Sequence, residues 1–242
     1  MIDFPLKYES SYFADLTEIR PSALTIPPLL AVFQDKGFLP SMFMEKPNDE
    51  PRIRLTSPNE QWEITVRRQR VVITKRPIER DRASMGTVGD FCVDAVEILD
   101  RLFRQVPPRK GSRVSLITEE LMPQMSEESL NDLYVHLFKP VPFYQENSPT
   151  EWLLRWVART ELQVNGIAEL VNVINMISRV QGQIADPSAI TVFDRIQLGF
   201  DINTFQGNTD TRFTPDNIED FYRQAMEVRD QLIKQLEAHL NG

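Results

Sequence analysis

From Trp152 to Val164 one phase of the chain is apolar and the other mixed. Trp152, Leu154, Trp156, Ala158, Thr160, Leu162 and Val164 fall on one phase; Leu153, Arg155, Val157, Arg159, Glu161 and Gln163 fall on the other. A period of two with one apolar and one mixed face predicts a half-buried strand. Ile190, Val192, Ile196, Leu198 and Phe200 repeat the pattern, with Thr191, Arg195, Gln197 and Asp201 opposite. The stretch Gln61 to Arg76 reads as a hairpin, with Trp62, Ile64 and Val66 on one arm and Val71 to Thr74 on the other. Its turn, near Arg67–Arg70, lacks the Asn-Gly or Gly signal of a two-residue loop. Elsewhere the period changes to three and four. Ile218, Phe221, Ala225, Val228, Leu232, Leu236 and Leu240 form one helical stripe. It starts behind Thr214-Pro215-Asp216, a capping hydroxyl and then a proline where no N–H is needed. Val88, Phe91, Ala95, Ile98, Leu102 and Val106 do the same behind Thr87, and Leu130, Leu133, Tyr134, Leu137 and Phe138 behind Ser126.

Placed in order, these elements repeat. The first pass is a strand (4–14), a helix (28–36), a strand and hairpin (52–57, 61–67, 70–76) and a long helix (88–106). The second is a strand (112–121), a helix (127–138), three strands (152–164, 168–181, 189–201) and a long helix (214–239). The expected fold is α+β: two similar β-α-β-β-β-α halves, residues 1–107 and 108–242, forming one pseudo-symmetric unit. A largely antiparallel sheet carries the helices on one face and leaves the other free. The seam falls at Pro107–Lys110. Two segments, Met44–Pro51 and Lys139–Glu151, read as loops.

Composition narrows the function classes. The net charge of −8 argues against a general nucleic-acid coat, whose affinity rests on lysine and arginine neutralising phosphates. Cys92 is the single cysteine, so no disulfide forms within the chain, and a reducing cytoplasm is the expected compartment. No run approaches the roughly 20 apolar residues of a membrane span. His136 and His239 stand alone in sequence, so neither a metal nor a cofactor is expected. No glycine-rich phosphate loop or nucleophile elbow is present.

Three acidic positions invite a chemical reading. Glu119–Glu120 reads as a solvated strand end. Asp201 reads as a cap for the turn into Phe205–Thr214. Asp194 falls on the apolar phase of its strand; the expected resolution is a bulge turning it outward beside Arg195, and the alternative is a carboxyl buried in a cleft with a raised pKa. The distributed signal is arginine on the polar phase of the strands: Arg52, Arg54, Arg67, Arg155, Arg159, Arg179 and Arg195. Arginine suits bidentate anion contacts and interface anchoring. These seven are the expected binding residues, on a basic sheet face opposite an acidic final helix.

The doubled order resembles the saddle of the TATA-box-binding-protein family, in architecture only. That family is basic and inserts phenylalanine wedges; its motifs have no match here, so its DNA activity is not carried over. The hairpin Trp62–Thr74, the strand Arg113–Thr118 and Phe200-Asp201-Ile202-Asn203-Thr204 before a long terminal helix are similar to a sporadically distributed, uncharacterised bacterial protein family. Patchy distribution of that sort implies phage-defence or toxin–antitoxin loci. The resulting expectation is a non-enzymatic cytoplasmic subunit that binds a protein partner. The alternatives are nucleic-acid or phosphorylated-ligand binding on the arginine face, and a helix-grip-like small-molecule pocket.

Overall fold

Strand β1 (Phe4–Phe13) lies inside a nine-stranded sheet, flanked by β5 (Val71–Lys75) and β6 (Arg113–Leu121). The structure is a computed structural model and describes residues 2–78, 82–106, 109–186 and 189–241. The remaining strands are β2 (Leu39–Glu45), β3 (Glu50–Thr56), β4 (Trp62–Val66), β7 (Trp152–Val164), β8 (Ile167–Asp186) and β9 (Ala189–Thr204). The helices are α1 (Ile26–Val32), α2 (Val88–Gln105), α3 (Glu127–Phe138), α4 (Pro142–Glu146) and α5 (Ile218–Asn241). Strand order is β2-β3-β4-β5-β1-β6-β9-β8-β7, and every ladder is antiparallel. The fold is therefore α+β with a large antiparallel sheet.

Read outward from the β1–β6 pair, both halves follow one order: first strand, then the last, middle and first of a three-strand meander. The strand lengths are not shared. The meander strands hold 7, 5 and 5 residues in the first half and 13, 20 and 16 in the second. Edge strand β2, which the periodicity did not predict, has no counterpart. The loop expected at Met44–Pro51 is instead the β2–β3 hairpin, and α4 occupies part of the loop expected at Lys139–Glu151. Residues 107–108 of the expected seam lie outside the described residues.

The helices share one face because the strands present their apolar phase there. Tyr8 and Tyr12 of β1 pack on Phe91 and Phe103 of α2, and Trp62 of β4 stacks on Phe91. The Tyr222 hydroxyl of α5 bonds Ser10. A second apolar cluster joins Leu130, Leu133 and Tyr134 of α3 to Trp152, Ile177, Ile196, Leu198 and Phe200. Helix α5 spans both clusters: its first turns bury Ile218, Phe221 and Ala225 in the main core, and Leu232, Ile233 and Leu236 pack against the second. The hydroxyl caps read from sequence are present at α2 and α3, whereas at α5 the Asn217 side chain, not the Thr214 hydroxyl, makes the capping bond. Asp90 and Thr87 cap each other reciprocally at α2, Ser126 accepts from the Ser129 N–H (3.1 Å), and Asn217 accepts from the Thr214 N–H (2.7 Å) in a 3-10 turn before α5.

The β4–β5 turn dispenses with glycine because it is held from outside. The Arg67 N–H bonds the Arg70 carbonyl (2.8 Å), and the Ala14 and Leu16 N–H groups reach back to the Gln69 and Arg68 carbonyls. Neither Arg68 nor Gln69 takes a positive φ. Gly111 is required for a different reason: a Cβ there would stand 2.8 Å from the Tyr12 ring, whose hydroxyl accepts from the Gly111 N–H at 2.7 Å.

Four arginines clamp these layers together through carboxylates. Arg229 of α5 reaches Glu120 of β6; Arg212, ahead of α5, holds Glu169 (2.5 and 2.7 Å); Arg179 of β8 holds Asp194 of β9 (2.7–3.2 Å); Arg52 of β3 is fully buried between Glu45 and Glu50. The planar guanidinium, with several donors in a fixed fork, explains why arginine and not lysine occupies these positions.

Candidate functional site

The face of the sheet away from α2 and α5 carries the polar phase of the strands. Its residues follow from the register: Lys7, Glu9 and Phe13 on β1; Arg113, Ile117 and Glu119 on β6; Arg195, Gln197, Asp201 and Asn203 on β9; Asn172, Ile174 and Met176 on β8; Arg155, Val157, Arg159 and Glu161 on β7.

Of the seven arginines predicted to bind, five line this face or its rim. Arg155 and Arg159 are exposed on β7. Arg54 and Arg67 flank the Phe43 ring, each guanidinium 5.3 Å from its centroid. Arg195 is tied to Asp3 (2.8 Å) and Gln124 (3.1 Å). The other two are corrections. Arg179 stands opposite Ile196 and Trp152, on the helix side, where it donates to Asp194, to Asn131 (3.2 Å) and to the Pro149 carbonyl (3.0 Å). Arg52 donates to the carbonyls of Leu16, Thr17 and Ile19 and has no exposed surface. Both spend their donors inside the protein. The expected basic face is also tempered. Lys7 pairs with Glu119 (2.6 Å), Arg54 lies 3.6 Å from Glu63, and the face is mixed in sign.

What the register assembles instead is a belt running across one end of the sheet. Arg54 and Arg67 lie over Phe43, and Arg70 and Arg113 lie over Phe13 at 5.6 and 4.6 Å. Arg113 donates to Asn203 (3.0 Å), Asn203 accepts from Asn172 (3.1 Å), and Asn172 accepts from Arg159 (3.2 Å), which lies 4.5 Å from the Phe205 ring. Every strand of the sheet supplies a residue of this belt or flanks one. Arg67, Arg70, Arg113, Arg155 and Arg159 make no ion pair within 4 Å among the described residues, although Arg113 and Arg155 act on Asp201 from further away. At the rim, Phe13, Arg67, Arg68 and Arg70 line a cleft of about 430 Å³ with Glu45 and Lys46. Sequence reading missed Phe13, Phe43, Arg70, Arg113, Asn172, Asn203 and Phe205. The available signal was a phenylalanine on the polar phase of β1 and paired arginines around one turn.

The acidic candidates take other roles. No bulge interrupts β9 against β8 at Asp194, which stays on the helix side; the Arg179 guanidinium holds its carboxyl below the ordinary aspartate range. That geometry corrects both the outward turn and the raised pKa. Asp201 is not a turn cap. It lies within β9 opposite Ile117 and Ile174 on the open face, where burial pushes its carboxyl up, while the Asn203 side chain, Arg113 and Arg155 oppose the shift. Glu119 is on the open face, but Glu120 is buried under α5 rather than solvated. Burial also pushes the Cys92 thiol up to about 12, which removes its nucleophilic form at neutral pH. A cleft of about 460 Å³ between α2 and α5 is lined by Cys92, Tyr222 and Met226, and the described clefts do not include Asp194.

His136 of α3 and His239 of α5, isolated in sequence, are brought together with ring centroids 4.7 Å apart. Among the described residues no group of three or more His, Cys, Asp or Glu side chains is placed to hold a metal. A chelator is expected to leave the melting temperature unchanged, because a structural metal couples binding to folding. A fall of many degrees would reveal a metal that the fold requires.

No protein-family model matches the chain, and a comparison with curated proteins finds no match. No described helix is long and apolar enough to cross a membrane.

Proposed function

We propose that the chain is a non-enzymatic binding protein that docks a protein partner with an acidic surface on the helix-free face of its sheet. The observation that carries this reading is the arginine–phenylalanine–asparagine belt, in which Arg67, Arg70, Arg113 and Arg159 lie over phenylalanine rings and make no ion pair among the described residues. Beside it, Leu153, Val157 and Leu170 are exposed, and Ile174 and Met176 are half-buried. Arginine, aromatic residues and methionine, with apolar positions between them, are the composition that protein interfaces favour. Pre-positioned side chains also lose less entropy on binding. The resemblance to a sporadically distributed bacterial family supports a cytoplasmic partner in a phage-defence or toxin–antitoxin system. A phosphate-bearing ligand is the second reading, favoured by the same unpaired guanidiniums.

Affinity capture of the tagged chain from its host, followed by calorimetry on the purified pair, tests the reading. Interface arginines are each worth about 2 kcal/mol when buried. Arg155→Glu with Arg159→Glu is expected to weaken binding well over tenfold while leaving the fold intact. The control is Glu219→Lys with Glu128→Lys on the helix side. Asp220 is unsuitable as a control, since it accepts from the Asn165 N–H at 2.6 Å and anchors the β7–β8 turn. Equal binding by the wild type and the Arg155/Arg159 variant would refute the site. Binding of a phosphorylated peptide that its unphosphorylated form does not reproduce, lost in the Arg155/Arg159 variant, would favour the phosphate-bearing ligand.

A further inference from the structure

Strand β7 is an edge of the sheet, and its middle is uncovered on both faces. All residues from Arg155 to Glu161 are exposed, Trp156 by 42% and Val157 by 52%. The helix layer reaches only its ends: Trp152 packs on Tyr134 and Phe138 of α3, while Leu162 and Val164 enter the core beside α5. Exposed edges are ordinarily blunted by shortness, proline, lysine or a bulge. The opposite edge, β2, holds 7 residues and contains Pro40. β7 holds 13, with no proline or lysine and no break in its register with β8.

The free backbone groups of this edge can be assigned. The Gln224 side chain of α5 accepts from the Gln163 N–H (2.9 Å) and donates to the Gln163 carbonyl. Gln163 therefore points its backbone away from β8, and so do the other odd-numbered residues, Leu153, Arg155, Val157, Arg159 and Glu161. In an antiparallel pairing of this edge with itself, odd residues face odd residues.

The charges then select the register. Centred on Val157, the pairing sets Arg155 against Arg159; centred on Arg159, it sets that arginine against its own copy. Like charges directly opposite are unfavourable. Centred on Ala158, it sets Arg155 against Glu161 twice and Val157 against Arg159. Ala158 is also the midpoint of the strand, so this register gives the fullest overlap. Gln224 already occupies the edge at Gln163, which limits the new ladder to Arg155–Glu161. On the other face Trp156 lies opposite Thr160 and diagonal to Ala158, where small side chains leave room for the indole.

We propose that β7 pairs antiparallel with β7 of a second copy of this chain, centred on Ala158, so that two sheets join into one across a two-fold axis. The proposal rests on the edge geometry of β7 and not on the partner reading, although the two share Arg155 and Arg159. Sedimentation velocity of the full chain over a concentration series tests it. The wild type is expected to dimerise. Val157→Pro is expected to be monomeric with its melting temperature nearly unchanged, because its N–H faces the free edge and proline is tolerated there. It leaves every arginine in place, and Glu161→Arg, which opposes Arg155 of the second copy with a like charge while adding a cation to the open face, separates loss of the dimer from loss of an acidic partner. Arg155→Glu is expected to weaken self-association more than tenfold, and Arg155→Glu with Glu161→Arg to restore it. A wild type that stays monomeric at every concentration reached would overturn the proposal. So would a dimer indifferent to both Val157→Pro and the charge exchange.

Discussion

Arg229→Ala is expected to destabilise the fold by about 3–5 kcal/mol, the scale for breaking one side of a buried ion pair. Arg229 projects from α5 onto β6, where it donates to Glu120 and to the Thr118 hydroxyl (3.2 Å). Glu120 is 1% exposed, and its Oε2 has no hydrogen-bond partner. Burial pushes its carboxyl above the ordinary range, and Arg229 opposes that shift. A carboxyl whose pKa is higher folded than unfolded binds more protons in the native state. Its effect on stability therefore worsens as pH rises from the unfolded value, about 4.3, through the folded one. Removing Arg229 raises the folded value further. The deficit should be largest at neutral pH and shrink as acid protonates Glu120. Denaturant melts of wild type and Arg229→Ala across that range check it, and adding Glu120→Gln should recover part of the loss. A deficit that does not change between neutral and mildly acid pH would show that lost packing, not the stranded carboxylate, is the cause.

Arg52→Ala is expected to cost a similar amount, about 3–5 kcal/mol. Its guanidinium is enclosed by the carbonyls of Leu16, Thr17 and Ile19 at 3.2–3.3 Å, by Glu50 at 2.7 Å and by Glu45 at 3.1 Å. Truncation leaves the Ile19 carbonyl without its donor and removes the main cation from Glu50, while Glu45 keeps the Arg68 N–H and the Leu16 carbonyl keeps the Ile19 N–H; each buried acceptor left unpaired costs about 1–3 kcal/mol if no water replaces the donor. Arg52→Lys should recover little, because a single ammonium cannot reproduce contacts made in several directions. Arg155→Ala, on an exposed position, should stay within about 0.5 kcal/mol of wild type. Equal melts for Arg52→Ala and Arg155→Ala would mean that Arg52 does not hold the 14–19 segment to the sheet.

These two arginines show where local pattern stops being informative. Arg52 and Arg155 both occupy the polar phase of a strand, and nothing within either strand separates them. Arg52 is internal because the chain leaving β1 folds across it. Arg155 is free because β7 is an edge. Arg179 departs differently: it takes the apolar phase, tolerated because Asp194 arrives beside it across the β8–β9 hairpin. Asp201 was misplaced because β9 runs to Thr204, which leaves it mid-strand, facing Ile117 and Ile174.

By itself the sequence determined the α+β class, the residue ranges of β7, α2 and α3 to within a residue or so, and the hydroxyl caps of α2 and α3. Each depends on side chains two to four positions apart, whose spacing along a strand or helix decides which face they share. Only the tertiary structure decided the transverse belt, the meeting of His136 and His239, and the division of the arginines into clamps and free guanidiniums. Those depend on strand register and on which strands the helices leave uncovered. Both arise from contacts between residues far apart in the chain, and a period of two or 3.6 carries no record of them.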